Sequence, residues 1–435
     1  MIDRSTPPPI SNFEKVELNF PNPITLSNGI SVWVVDKGDD EVNRLDLYIG
    51  GGTLEEPTPM LAYLSGILCF EGSASRSAEA ISEAFDYYGA IKSAQPFDHC
   101  TLVSVSMANR HFKSITEIFC DCIREPLYSP GECEIYKKSL ASNLAIAQER
   151  VDFLASKAMK RLYYGAHHPA AREATPEGLM SITREDLLRF HREYYHPQNL
   201  RIIISGKVGE HELAVLDATF GAWQKKGQKV DESLEPPIVS GKEKLSVIDK
   251  KGAVQSGIEM CIRAIPRQHP DYFKLRLLVT ALGGYFGSRL NMNIREEKGY
   301  TYGIQSALLG KKNDSVIIVY TSCATAHTRL LIEEVKCEMA RLRQQLMPAD
   351  ELAVVKQHML SDLMKTLDTP FSIARYVGDW FTCGVYPEYF NKQVEAIVKC
   401  TSEDVLQVAQ TYLLEEKMLI AIAGDEEKMQ LQTKI

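Results

Sequence analysis

Thr183–Gly206 reads TREDLLRFHREYYHPQNLRIIISG, and 218 residues further on Thr401–Gly424 reads TSEDVLQVAQTYLLEEKMLIAIAG. Eight of these 24 positions are identical without a gap, among them Thr183/Thr401, Glu185/Glu403, Asp186/Asp404, Tyr194/Tyr412 and Gly206/Gly424. Residue frequencies typical of globular chains would give about one or two. Each copy opens on a Thr able to cap a helix through its hydroxyl, followed by Asp in the first turn, where the helix N-terminus favours negative charge. Each closes on an apolar strand and a Gly. At the same offset Pro130 meets Pro348 and Pro169 meets Pro387. The chain is therefore two copies of one α+β unit of about 200 residues, a size that a single core supports.

Outward from this block, the first half reads as alternating strands and helices. Ile24–Asp36 is two strands around Asn28-Gly29, a strong hairpin signal. Val42–Ile49 and Cys100–Met107 alternate as strands. Met60–Phe70 is apolar nearly all round and reads as a buried helix. Ala78–Tyr88 is an amphipathic helix closed by Gly89, and His111–Ile123 and Glu132–Glu149 are further helices. Met1–Asn22, rich in Pro, reads as an arm or edge segment. Residues 223–243, polar and carrying Pro236-Pro237, read as a linker between a first repeat, 1–222, and a second, 244–435. The expected fold class is α+β, two homologous repeats, each a mostly antiparallel sheet with helices packed on one face.

Composition narrows the function. With 45% hydrophobic and 24% charged residues the chain is globular. A net charge of −8 argues against nucleic-acid binding, which needs clustered Lys and Arg. No apolar run approaches the roughly 18 residues of a membrane span, and no basic-then-apolar secretory pattern opens the chain, so it reads as cytoplasmic. The ten Cys show no C-x-x-C pattern and read as buried thiols.

Leu282–Ser306, LGGYFGSRLNMNIREEKGYTYGIQS, carries the chemistry of the second half. Gly283-Gly284 leads into a helix-like run, Ser288–Lys298, with Ser288 as cap and Gly299 as a left-handed stop. Tyr300, Tyr302 and Ile304 then alternate as a strand. Arg295 at the helix end and Tyr302 past the turn place a cation and a phenol at one junction. Together they can grip a peptide carbonyl or carboxylate. On spacing alone the blander reading, a surface Arg and a half-buried Tyr, is the favoured one.

These stretches together resemble the insulinase-type (pitrilysin) zinc peptidases, in particular the small bacterial and mitochondrial-processing branch. The matching segments are Gly51-Gly52, FEGS at Phe70–Ser73, YYGAHHP at Tyr163–Pro169, the 183–206 block, Gln255-Ser256 and SRLNMNIREEKGYTYGI. The resemblance spans nearly the whole chain from about residue 20. Arg295 and Tyr302 match that family's arginine–tyrosine pair in type and spacing.

The metal motif is where the chain departs. The family holds zinc through H-x-x-E-H, two imidazoles on one helix face with a Glu that activates water, and a further Glu about 76 residues on. Here Tyr63, Gly66 and Ile67 stand at the first three positions and Asn143 at the fourth. No family-type zinc site is expected, and no cofactor for this chain. His167-His168, His191 with His196, and His211-Glu212 lack the spacing for a replacement and read as ordinary surface or capping histidines.

The resemblance implies two repeats facing each other like half a clamshell, and a family in which some members divide the work between two chains. The expectation is a zinc-free subunit of a heterodimeric metallopeptidase. It would supply Arg295 and Tyr302 to a zinc-bearing partner acting on extended peptide. The alternatives are an assembly scaffold resembling the core subunits of the respiratory cytochrome bc complex, and, least favoured, a zinc peptidase active alone.

Overall fold

A computed structural model describes residues 17–233, 236–239, 241–429 and 431. Most of the opening read as an arm, residues 1–16, lies outside them. The expected hairpin forms: β1 (Pro23–Thr25) pairs antiparallel with β2 (Ser31–Asp36) around Gly29, whose φ of 93° favours glycine. With β3 (Val42–Gly50), β4 (Ile91–Pro96), β5 (Cys100–Ala108) and β6 (Leu200–Gly206) these make a six-stranded sheet in the order β1-β2-β6-β3-β5-β4. The second half repeats it. Strands β7 (Leu245–Asp249), β8 (Gln255–Ala264), β9 (Thr301–Gly310), β10 (Ser315–Ala324) and β11 (Leu419–Gly424) lie in the order β7-β11-β8-β10-β9. Only β2–β6 and β7–β11 are parallel, so both sheets are mostly antiparallel. The blocks that revealed the repeat end in equivalent strands, β6 and β11.

The helices before those strands start as their sequences require. Thr183 accepts from Asp186 N while the Asp186 carboxylate accepts from Thr183 N, and Thr401 and Asp404 do the same. These reciprocal caps satisfy backbone donors that the first turn leaves free.

Alternation sorts each strand between two cores. On the first sheet Leu45, Leu47, Ile202, Ile204, Val103 and Val105 face the helices of their own repeat. Tyr48, Ile203, Leu102 and Trp33 face the opposite way and join the core of the second repeat. What covers that face is the helix Pro370–Cys383, which packs on β6, β2 and β3. In exchange the helix Val151–Tyr164 of the first repeat lies on β8, β11 and β7. Each repeat thus has its own helices on one face, as expected, and one helix of the other repeat on the second face.

Both exchanged helices come close enough to require glycine. A Cβ on Gly257 in β8 would stand 2.4 Å from the Val151 carbonyl oxygen. A Cβ on Gly378 would stand 1.9 Å from the Tyr48 hydroxyl. The 223–243 stretch therefore lies between the strands of the two sheets but does not divide their helices. Its described residues are also held down: Glu232 bonds Arg201 of β6 and Lys312 beyond β9, and Val230 N donates to Asn199 Oδ1.

Two sequence readings need correction. His191 and His196 are not surface residues. His191 is buried with Nε2 at 2.8 Å from the Ile123 carbonyl oxygen, and burial lowers its pKa to about 4. His196 is fully buried against the 223–243 stretch, where a Cβ on Gly227 would strike its ring. Ser288 is buried, but its hydroxyl accepts from the Asn291 side chain rather than from a first-turn N–H. The turns of Asn291–Glu297 are wound wider than an α-helix, with π-type hydrogen bonds. His168 does cap, accepting from Ala170 N, and His167 and His211 are exposed.

Candidate active site

Gly299 has the expected left-handed φ of 64°, and it turns the wide helix Asn291–Glu297 into β9. Arg295 therefore ends on one side of a junction and Tyr302 on the other. Both line one cavity of about 840 Å³ on the face of the second sheet. Its other walls are the turn Gly283–Phe286, side chains of β8 and β10, and the N-terminal end of the exchanged helix Val151–Tyr164. This last wall was not legible from local sequence, because Arg150, Asp152 and Phe153 arrive from the first repeat.

Tyr302 projects from the wall with 94% of its surface exposed, so its hydroxyl is available to a ligand. The Arg295 guanidinium lies over the Phe286 ring, 4.6 Å from the centroid. A guanidinium held over a ring keeps N–H groups that can donate to a ligand. Its nearest carboxylate, Glu296 Oε1, is 3.6 Å away, an open ion pair that a substrate carbonyl or carboxylate can displace. Deeper in the cavity, burial holds the Glu259 carboxyl above its usual range, against the pull of Ser156 and Lys160. Phe286, Glu259 and the Arg150–Asp152 ion pair escaped the sequence reading; of these only Phe286 lay within the stretch singled out.

In the first repeat the helix Leu61–Ile67 holds Tyr63, Gly66 and Ile67. Tyr63 Oη is 2.9 Å from Tyr136 Oη on the helix Pro130–Ala147. Asn143 lies two turns further along that helix and is exposed. Tyr136 reaches Tyr63 from a point seven positions before Asn143, on the same helix face. Burial and the bond to Tyr63 push the Tyr136 phenol above its ordinary pKa, away from an anionic ligand. A Cβ at position 66 would meet Ala94 Cβ at 3.1 Å, Thr101 Cγ2 at 3.1 Å and Val103 Cγ2 at 3.3 Å. A side chain there needs these three neighbours to give by a few tenths of an ångström. These residues do not fit a zinc ion. Among the described residues, no three His, Cys, Asp or Glu side chains are grouped as a metal requires.

Comparison with known proteins agrees with this architecture. The family model "Insulinase (Peptidase family M16)" matches residues 32–171, and "Peptidase M16 inactive domain" matches residues 181–359. The chain belongs to the insulinase-type peptidase family. An uncharacterized zinc protease of Bacillus subtilis is 23% identical over 351 residues, covering 79% of this chain and 84% of that protein. The crystal structure of a peptidase M16 inactive domain from Pseudomonas fluorescens superposes with a TM-score of 0.83 at 21% identity, over 94% of this chain and 98% of that one. A chain in the structure of complex III2 from Candida albicans superposes with a TM-score of 0.75 at 15% identity, over 94% and 97%. At these identities the structural likeness speaks for the fold. Among the described residues no helix is long and apolar enough to cross a membrane.

Proposed function

We propose that this chain is the zinc-free subunit of a two-chain metallopeptidase and lends Arg295 and Tyr302 to a site completed by a zinc-bearing partner of the same family. The observation that carries the reading is the contrast between the two repeats. The second keeps an exposed phenol and a stacked guanidinium in one open cavity. The first has its motif helix seated on the sheet through Gly66 and closed by the Tyr63–Tyr136 bond. Water activation by a bound metal falls to the partner. Tyr302 donates to the scissile carbonyl oxygen as negative charge grows on it, and Arg295 holds a neighbouring backbone carbonyl or carboxylate. A substrate lying extended along a sheet edge is selected for unfolded peptide over compact protein.

Three results are expected. Metal analysis of the dialysed chain finds no stoichiometric zinc. The triple variant Tyr63→His, Gly66→Glu, Ile67→His stays without peptidase activity, because Asn143 remains, the glutamate enters a tight contact with the sheet, and nothing orients the new histidines. One tightly held zinc per chain, or activity in the triple variant, would overturn this part of the reading. In the two-chain complex, Arg295→Ala raises KM for a quenched fluorescent peptide as well as lowering kcat, since a substrate-gripping guanidinium contributes to ground-state binding. An unchanged KM removes Arg295 from substrate binding.

A further inference from the structure

Behind the turn Thr280–Gly284 lies a second cavity, of about 380 Å³, which shares Gly284 with the first. Its size falls within the roughly 300–1,000 Å³ of small-molecule sites. Four helices of the second repeat and the end of β9 build it. Arg267, Arg276 and Arg375 line it, and so does the carboxyl of Asp379. Arg267 is committed to the Gly310 carbonyl oxygen and the Tyr389 hydroxyl. Among the described residues, the guanidiniums of Arg276 and Arg375 have no hydrogen bond or ion pair, and the Asp379 carboxyl has no partner. All three guanidiniums act on the Asp379 charge from beyond ion-pair distance, and burial still holds its carboxyl above the usual range. Two further lining residues have a side-chain oxygen without a partner: Tyr376 Oη and Gln393 Oε1, the latter in a side chain only 1% exposed.

The unmet groups are of both kinds. Guanidiniums only donate, and suit a carboxylate. A carboxylate and an amide oxygen accept, and suit an ammonium. A plain polyanion would meet Asp379 as a like charge and leave it and Gln393 Oε1 without a donor; Asp362 is already paired with Lys365 and His358. Leu308, Met359 and Leu363 supply apolar wall between the charged groups. We propose that this cavity binds short free peptides as zwitterions, the carboxylate on Arg276 and Arg375 and the ammonium on Asp379 and Gln393. Such peptides are the size class that peptidases release. The site stands directly behind the segment that carries Arg295's aromatic seat: Tyr285 stacks on His358 of this cavity at 5.0 Å, and Phe286 stacks on Arg295 at 4.6 Å.

The test uses the full chain alone, without partner or metal, so its outcome is independent of the peptidase reading. Titration calorimetry with the dipeptide Ala-Leu is expected to show one site. N-acetyl-Ala-Leu and Ala-Leu amide each bind at least tenfold more weakly. Arg375→Gln, at an exposed position that folding tolerates, and Asp379→Asn each weaken Ala-Leu at least tenfold. Should Asp379→Asn fail to fold, Arg375→Gln and the blocked peptides decide. No heat with Ala-Leu, unchanged affinity in Arg375→Gln, or inorganic phosphate binding as tightly as Ala-Leu with no loss on N-acetylation would overturn the proposal.

Discussion

Replacing Tyr302 by Phe is expected to lower kcat of the two-chain enzyme by 10²–10³-fold, the typical loss on removing one oxyanion donor. The change removes a hydroxyl from a side chain that is 94% exposed, so it leaves no buried group unpaired and no cavity behind. Folding and assembly should be unaffected, which separates this result from a structural one. The ring still lines the cavity beside Gly303 and Ile304. KM should change less than kcat, because the hydroxyl is needed most when charge has grown on the carbonyl oxygen. The readout is steady-state hydrolysis of a quenched fluorescent peptide, with the complex shown intact by sizing. Under a scaffold reading the substitution costs no more than the roughly 0.5 kcal/mol usual for a surface change, and nothing in rate. Unchanged kcat in an intact complex would leave that reading standing.

The second large effect lies where the repeats exchange helices. Phe381, on the helix Pro370–Cys383, is 7% exposed and meets Trp33 at 4.8 Å and Tyr48 at 5.0 Å, ring to ring. The Arg201 guanidinium lies 5.0 Å from its centroid. Phe381→Ala is expected to destabilise the chain by about 3–5 kcal/mol, the cost of emptying an aromatic core position. That is a large part of the roughly 5–15 kcal/mol a domain has. Phe381→Leu, which keeps most of the volume, should cost clearly less. Because each repeat buries a helix on the other's sheet, one cooperative urea transition is expected, shifted as a whole in the variant. Far-UV circular dichroism follows both sheets, and fluorescence follows Trp33 and Trp380 at this junction. Two separate transitions, with only one moved by the substitution, would show that the exchange does not couple the repeats.

What was legible in the sequence is what short segments determine. The Thr–Asp caps at 183–186 and 401–404, the Asn28-Gly29 hairpin and the Gly299 stop each act within a few residues, and each formed as read. The junction holding Arg295 and Tyr302 was legible for the same reason. The exchange of helices was not, since no local pattern tells a helix which of two similar sheets it will cover. Strand β4 was missed because IKSAQP is half-exposed and ends in Pro, so it lacks the apolar alternation of an inner strand. The Tyr63–Tyr136 contact was not legible, because it joins two helices 73 residues apart. The burial of His191 and His196 is not legible in the sequence, because it depends on distant groups such as the Ile123 carbonyl.

The measurement that bears most directly on the central claim is complementation. A chain of the same family bearing H-x-x-E-H, from the same source, is purified separately, and each chain is assayed alone and mixed on a quenched fluorescent peptide. Neither chain alone should hydrolyse the peptide at an appreciable rate, the mixture should do so, and zinc should be found in the partner only. Full activity of the zinc-bearing chain without this one, unchanged on mixing, would contradict a role for Arg295 and Tyr302 in trans.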